Sequence, residues 1–201
     1  YYYYLYPKMK EFLEEENQKQ IETEIYQEYK EEISVFEEKC KNGENDSYIC
    51  SLIRNDKVEE FVTYVNKTNI SLCSKIKPSI YETNSFLINK KPTLIEYAAF
   101  YGSIQIIQYL KYNKVPLTFS LWIYAIHSNN AELIHFLEEN NMPEKESYFN
   151  VLKESIKCHH NDVSIYIKDN LSYDKFQTED CFYKNFSNTI IDSLNFFFFP
   201  N

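Results

Sequence analysis

The densest run of chemically capable side chains in this chain is Cys158-His159-His160-Asn161-Asp162. A thiol beside two imidazoles and a carboxylate suggests two chemistries, zinc ligation or an activated nucleophile. A zinc site needs four converging ligands, usually drawn as two pairs at separated spacings. Adjacent residues at a helical turn point in different directions, no second Cys/His pair lies nearby, and Cys181 is the distant thiol left to join them. A cysteine nucleophile needs a base close in space and a stabilised thiolate, and adjacency in sequence supplies neither. The two glycines of the chain leave no room for a phosphate-cradling loop of either common type. The expectation is therefore no catalytic residue, no metal ligand and no cofactor. Cys50 and Cys73 read as small buried hydrophobes, and His127 and His135 as surface or rim positions.

What positions the Cys158 run is a segment that recurs three times. The copies span Thr93 to Leu110, Ser120 to Leu137 and Asn150 to Ile167, with Ala98, Ala125 and Ser155 in register. The offsets are 27 and 30 residues, without internal gaps. A period of this size signals one small unit stacked on copies of itself. In each copy a first short helix carries small residues at its middle (Ala98-Ala99, Ala125-Ile126, Ser155-Ile156), which let the next helix approach closely. A second helix carries an apolar stripe at helical spacing, with Ile106, Ile107 and Leu110 in the first copy and Leu133, Ile134 and Leu137 in the second. Between the two lie Gly102, Asn129 and His159. Glycine takes positive φ without steric penalty, and Asn and His are enriched there. These three are the predicted structural turns of a helix–turn–helix unit.

The stretch Thr93 to Ser103 resembles the ankyrin signature T-P-L-H-x-A-A-x-x-G-H. Thr93, Ile95, Ala98, Ala99 and Gly102 stand where that pattern has Thr, an apolar residue, Ala, Ala and Gly. The departures fall on the Pro, here Leu94, and on the His of the Thr–His turn, here Glu96. The units are also shorter than the usual ankyrin length of about 33 residues, which implies a trimmed β-turn finger. Taken with Leu121 to Glu132 and Ile156 to Asp162, the segment is similar to a divergent ankyrin-like domain of unknown function. That domain is multiplied in some protists and often precedes regular ankyrin repeats. The resemblance covers roughly residues 48 to 171 and implies protein binding without naming a ligand.

The expected organisation has four parts: a low-complexity tail over 1–8, an acidic amphipathic helix over 9–43, divergent repeats over 44–172 and an irregular or truncated segment over 173–201. An earlier and weaker unit is expected from Ser47 to Val65, with Asp56 near its turn. Residues 67–91 form a connector, in which Pro78 to Leu87 reads as a short helix with Pro78 near its start. The fold class that follows is all-α, an ankyrin-like helix-pair solenoid of about four units with an acidic N-terminal helix.

Composition narrows the function. The net charge is −9 and Arg is nearly absent, whereas a nucleic-acid reader presents a basic stripe. No nucleic-acid partner and no membrane partner is expected. Five cysteines, an odd number without framework spacing, fit a reducing compartment, and the expected location is intracellular, in the cytoplasm. The expected function is non-enzymatic protein–protein interaction with an unknown protein partner. Its candidate contact residues are Phe100, Tyr101, His127, Ser128 and Lys157, which fill the divergent register between the small pair and the turn. The alternative is a structural leader for downstream repeats, or a decayed gene copy without independent function. A third option is an enzyme built on Cys158 and its neighbouring histidines.

Overall fold

The computed structural model describes residues 3–140 and 148–171. Within them all regular structure is helical, and the one extended pairing is an isolated bridge between Lys75 and Thr93. Three α-helices come first, α1 (Tyr6–Met9), α2 (Glu15–Tyr29) and α3 (Ile33–Asn42), with 3-10 turns at Tyr3–Leu5 and Lys10–Phe12. Four helix pairs follow: α4 (Tyr48–Arg54) with α5 (Val58–Thr68), α7 (Leu94–Tyr101) with α8 (Ile104–Tyr112), α9 (Ser120–Ser128) with α10 (Ala131–Glu139), and α11 (Tyr148–Lys157) with α12 (Asn161–Tyr166). One more helix, α6 (Ser85–Lys90), lies in the connector between the first two pairs. The first helices stack in chain order, α4 on α7, α7 on α9 and α9 on α11, while α5 packs on α8.

The small residues explain the closeness of that stack. Ala98, Ala99, Ala125 and Ser155 are wholly buried where α7, α9 and α11 meet. Around them lie Trp122, Tyr97, Leu121, Ile106, Ile107 and Leu110, each under 2% exposed. Each such side chain contributes about 1.5–3 kcal/mol of transfer free energy on full burial.

Every first helix ends in one residue of left-handed backbone. Asp56 (φ 48°), Gly102 (φ 71°), Asn129 (φ 50°) and His159 (φ 58°) occupy these bends. Three of the four close with the same pair of reversed hydrogen bonds. Asp56 N donates to Ile53 O and Lys57 N to Leu52 O; Gly102 N to Ala99 O and Ser103 N to Ala98 O; His159 N to Ile156 O and His160 N to Ser155 O. At the third bend the outer bond is replaced by a side chain. Ser128 Oγ accepts from Asn130 N at 3.2 Å and donates to Ala125 O at 2.7 Å.

The residue after each bend also ties one pair to the one before. Ser103 Oγ donates to Ile53 O at 2.5 Å, and His160 Nδ1 meets Ile126 O at 2.8 Å, the carbonyl at the equivalent position two units later. Asn130 Nδ2 reaches Gly102 O at 3.4 Å, one turn further on. These links satisfy helix-end carbonyls that burial would otherwise leave without partners.

Helix starts are equally local. Thr93 and Glu96 form a reciprocal capping box, with Thr93 N donating to Glu96 Oε2 at 2.8 Å and Glu96 N to Thr93 Oγ1 at 3.4 Å. Glu96 therefore closes the start of α7 on Thr93. Its other oxygen accepts from Ser120 Oγ at 2.9 Å, joining the starts of α7 and α9.

The structure corrects the reading of the N-terminal part. The continuous helix expected over 9–43 is two helices, α2 and α3, parted at Lys30, which has φ 58°. The break lets Ile21 and Ile25 of α2 and Phe36 and Cys40 of α3 face each other and bury with Tyr6 and Tyr81 in a second, smaller core. Residues 3–8, within the low-complexity tail expected over 1–8, are folded against this core. Tyr6 is 2% exposed and donates to Glu22 at 2.7 Å, and Tyr4 donates to Cys40 O at 3.0 Å. In the connector, the helix starts at Asn84, whose side chain accepts from Phe86 N and Leu87 N, rather than near Pro78. The expected segment 173–201 lies outside the described residues. No described helix is long and apolar enough to cross a membrane.

Candidate functional site

In-register residues of stacked first helices become neighbours in space, and this rule builds the candidate site. Phe100 on α7, His127 on α9 and Lys157 on α11 share one register. The rings of Phe100 and His127 stack with centroids 4.9 Å apart and planes 26° apart. Helix α6 folds across this row, placing Phe86 4.1 Å from His127, 5.1 Å from Tyr124 and 6.0 Å from Phe100. The His127 imidazole is thus one corner of a three-ring cluster with Phe86 and Phe100.

The other edge of His127 faces α11. Its Nε2 lies 3.2 Å from Glu154 Oε1, and Cys158 Sγ lies 3.6 Å from Nδ1 and 4.0 Å from Nε2. Lys157 Nζ sits 3.6 Å from the second Glu154 oxygen. The side chains of His127 and Glu154 are 16% and 18% exposed. Among the described residues these three form the one group of ligand-type side chains with a donor atom each within 4.8 Å of the others.

The electrostatics follow from that packing. The His127 hydrogen bond holds the Glu154 carboxyl below its ordinary range, against the opposing effect of burial, and Lys157 adds to the lowering. Burial pushes the Cys158 thiol up to about 11, and the Glu154 carboxylate raises it further. A thiol held protonated is the opposite of an activated nucleophile, so the cluster is poorly set for nucleophilic catalysis as it stands.

The residues singled out in the sequence divide into several roles. Phe100 and His127 are together, but both are half-buried under α6 and do not project freely. Tyr101 packs on Tyr97 and Phe100, with centroids 4.9 and 5.1 Å away, and burial raises its hydroxyl to about 12. Ser128 is spent on the bend described above. Lys157 is exposed and stands at the end of the row. His159 occupies the left-handed bend and His160 caps toward Ile126 O, while the imidazole 3.6 Å from the Cys158 sulfur is that of His127, 31 residues away.

His127 therefore is not a rim residue, whereas His135 is, with a side chain 62% exposed. Cys50 is buried, but Cys73 is exposed, contrary to the expectation, because it sits in the connector just beyond α5. The four described cysteines are free thiols.

Two contributors escaped the sequence reading, Glu154 and Phe86. Glu154 was readable in principle. It lies four residues before Cys158, on the same face of α11, and His127 aligns with Lys157, next to Cys158. Phe86 carried no signal, because it reaches the row from a connector helix outside the repeat.

A separate cleft of about 290 Å³ opens beside the connector, lined by Asn45, Ile76, Glu82, Leu87 and Tyr97 among others. Its buried carboxylate, Glu82, is already engaged by Asn45 N at 3.3 Å and Asn84 N at 2.9 Å, so the groups there are structural. Comparison of the chain with family models, with curated proteins and with solved structures returns no match.

Proposed function

We propose that this chain is a non-enzymatic protein-interaction module, an ankyrin-like solenoid whose first helices present a rigid edge to a protein partner. The observation that carries this reading is the register of the four bends. Asp56, Gly102, Asn129 and His159 share left-handed backbone, and the helices ahead of them stack in chain order. A stack of equivalent units is quasi-one-dimensional. It offers a surface fixed before binding, so little ordering entropy opposes association. Within that frame the side chains at the end of each first helix differ from unit to unit, which is the variation a recognition edge requires. The net charge of −9 favours a basic partner surface over nucleic acid.

Tyr101 and Lys157 are the residues of this edge whose substitution tests the reading. Proximity labelling with the tagged chain in its source cell, run in parallel with Tyr101→Ala and Lys157→Glu, is the deciding experiment. The expected result is one protein labelled at high yield by the parent chain and lost in at least one variant, with helicity by circular dichroism unchanged. A labelling pattern that is the same for all three chains overturns the assignment of this edge.

A further inference from the structure

We propose that His127, Glu154 and Cys158 form a binding site for a zinc-class divalent cation, with three protein ligands and a fourth position open to solvent. The donor set is one imidazole nitrogen, one carboxylate oxygen and one thiol sulfur. Zinc accepts all three, whereas magnesium and calcium demand shells of oxygen. Around a tetrahedral zinc ion the ligand atoms lie roughly 3.4–3.6 Å from one another, given metal–ligand distances of about 2.0–2.3 Å. Nε2 of His127 and Oε1 of Glu154 are 3.2 Å apart, and Sγ of Cys158 is 4.0 Å from the same nitrogen. The three donor atoms all lie within 4.8 Å of one another, and because Sγ stands nearer Nδ1 at 3.6 Å, closing the set around an ion on Nε2 requires the Cys158 side chain to swing toward Glu154.

The scaffold favours this geometry independently of the distances. Glu154 and Cys158 are four residues apart at the end of α11 and so lie on one face. His127 reaches them from α9, which packs directly on α11 through Ala125 and Ser155. Phe86 and Phe100 both pack on the imidazole, with ring centroids 4.1 and 4.9 Å away. The imidazole and carboxylate already in contact supply part of the preorganisation that a functional metal site needs. Lys157 engages Oε2 of Glu154 and leaves Oε1 to the imidazole side. The site binds two stacked units together, so an ion there clamps α9 to α11.

The test uses cobalt(II) as a spectroscopic stand-in for zinc. The full chain carries Cys73→Ser and Cys181→Ser, which removes the exposed thiol and the thiol outside the described residues. Titration is expected to give a thiolate-to-cobalt charge-transfer band in the near ultraviolet, saturating at one ion per chain and displaced by zinc. Adding Cys158→Ser should abolish that band, and His127→Gln should weaken binding at least tenfold. Thermal unfolding of each variant without metal checks that it is folded, and zinc should raise the melting temperature of the parent but not of Cys158→Ser. Absence of the band in the folded parent overturns the proposal. So does a band that survives Cys158→Ser, or equal zinc stabilisation of parent and Cys158→Ser.

Discussion

Asp56 in the first helix pair caps a helix of the second. Its two carboxylate oxygens accept from Gln105 N and Ile106 N, each at 3.0 Å, at the start of α8. The same residue has φ 48°, so it turns the chain in its own unit and closes the helix start of the next. Capping by a residue 49 positions away couples the units through the helix dipole as well as through hydrogen bonds.

Replacing Asp56 by Ala removes the cap and leaves a Cβ in left-handed backbone without a compensating contact. The expected loss is about 1–2 kcal/mol, read as a lower urea midpoint at unchanged slope. Asp56→Asn keeps an acceptor and tolerates the backbone, so it should retain more than half of that stability. Equal loss in both variants would show that the charge, and not the cap, carries the effect.

The bends are readable in residue type, because only a few side chains tolerate positive φ, and Gly102, Asn129 and Asp56 are among them. The small residues at Ala98, Ala125 and Ser155 are readable for the same kind of reason, since close helix contact admits little else. The break at Lys30 is not. It falls in Gln27-Glu28-Tyr29-Lys30-Glu31-Glu32, mostly good helix formers, and lysine has no preference for left-handed backbone. The turn lets Ile25 and Phe36 bury in one cluster, and burial is a property of the packed chain. The cluster around Cys158 is hidden for a related reason. Its members come from two units, and only the stacking order places His127 beside them.

Gly102 has φ 71°, and a Cβ there would lie 3.1 Å from Asn130 Nδ2 and 3.3 Å from the Cβ atoms of Asn130 and Ser128. Left-handed backbone alone costs an L-residue about 1–2 kcal/mol. Gly102→Ala should destabilise by at least that much, because Asn130 also caps α10 and has little room to move. Chemical denaturation of the purified variant reads the difference.

Arg54 joins three parts of the molecule. Its Nη1 donates to Asn45 O at 2.8 Å and to the Tyr97 hydroxyl at 3.0 Å, while Nε meets Glu44 at 2.9 Å. Tyr97 is 1% exposed, so its hydroxyl has no water to fall back on. Arg54→Met should cost about 1.5–3 kcal/mol, the range for hydrogen bonds from a charged group. Glu44 is largely solvated, so Glu44→Gln should change stability by less than about 1 kcal/mol. Paired denaturation curves separate the two contributions.

Acid should weaken the contact between α9 and α11. The Glu154 carboxyl is held below its ordinary value by the His127 hydrogen bond, with Lys157 assisting and burial opposing. A depressed folded-state pKa means that the unfolded chain binds more protons in this range, so stability rises with pH there. The contribution is complete above the unfolded-state value of about 4.3 and disappears as pH falls through the lower folded-state value. Glu154→Gln should therefore differ most from the parent near neutral pH and converge with it in strong acid. Melting curves collected from pH 7 downwards measure the convergence; a constant difference throughout would exclude Glu154 as its source.

Cys158 and Cys73 should respond very differently to alkylation. Burial, reinforced by the Glu154 carboxylate, pushes the Cys158 thiol up to about 11, whereas Cys73 is exposed on the connector. A rise of about two units leaves roughly a hundredth of the ordinary thiolate population at neutral pH, and the thiolate is the reacting form. Iodoacetamide in the presence of a chelator should label Cys73 at least a hundredfold faster, as read by peptide mass spectrometry. Glu154→Gln removes the neighbouring negative charge and should speed labelling at Cys158 while leaving Cys73 unchanged. Comparable rates at the two thiols in the folded parent would mean that Cys158 is not shielded, and its placement against His127 and Glu154 would have to be given up with it.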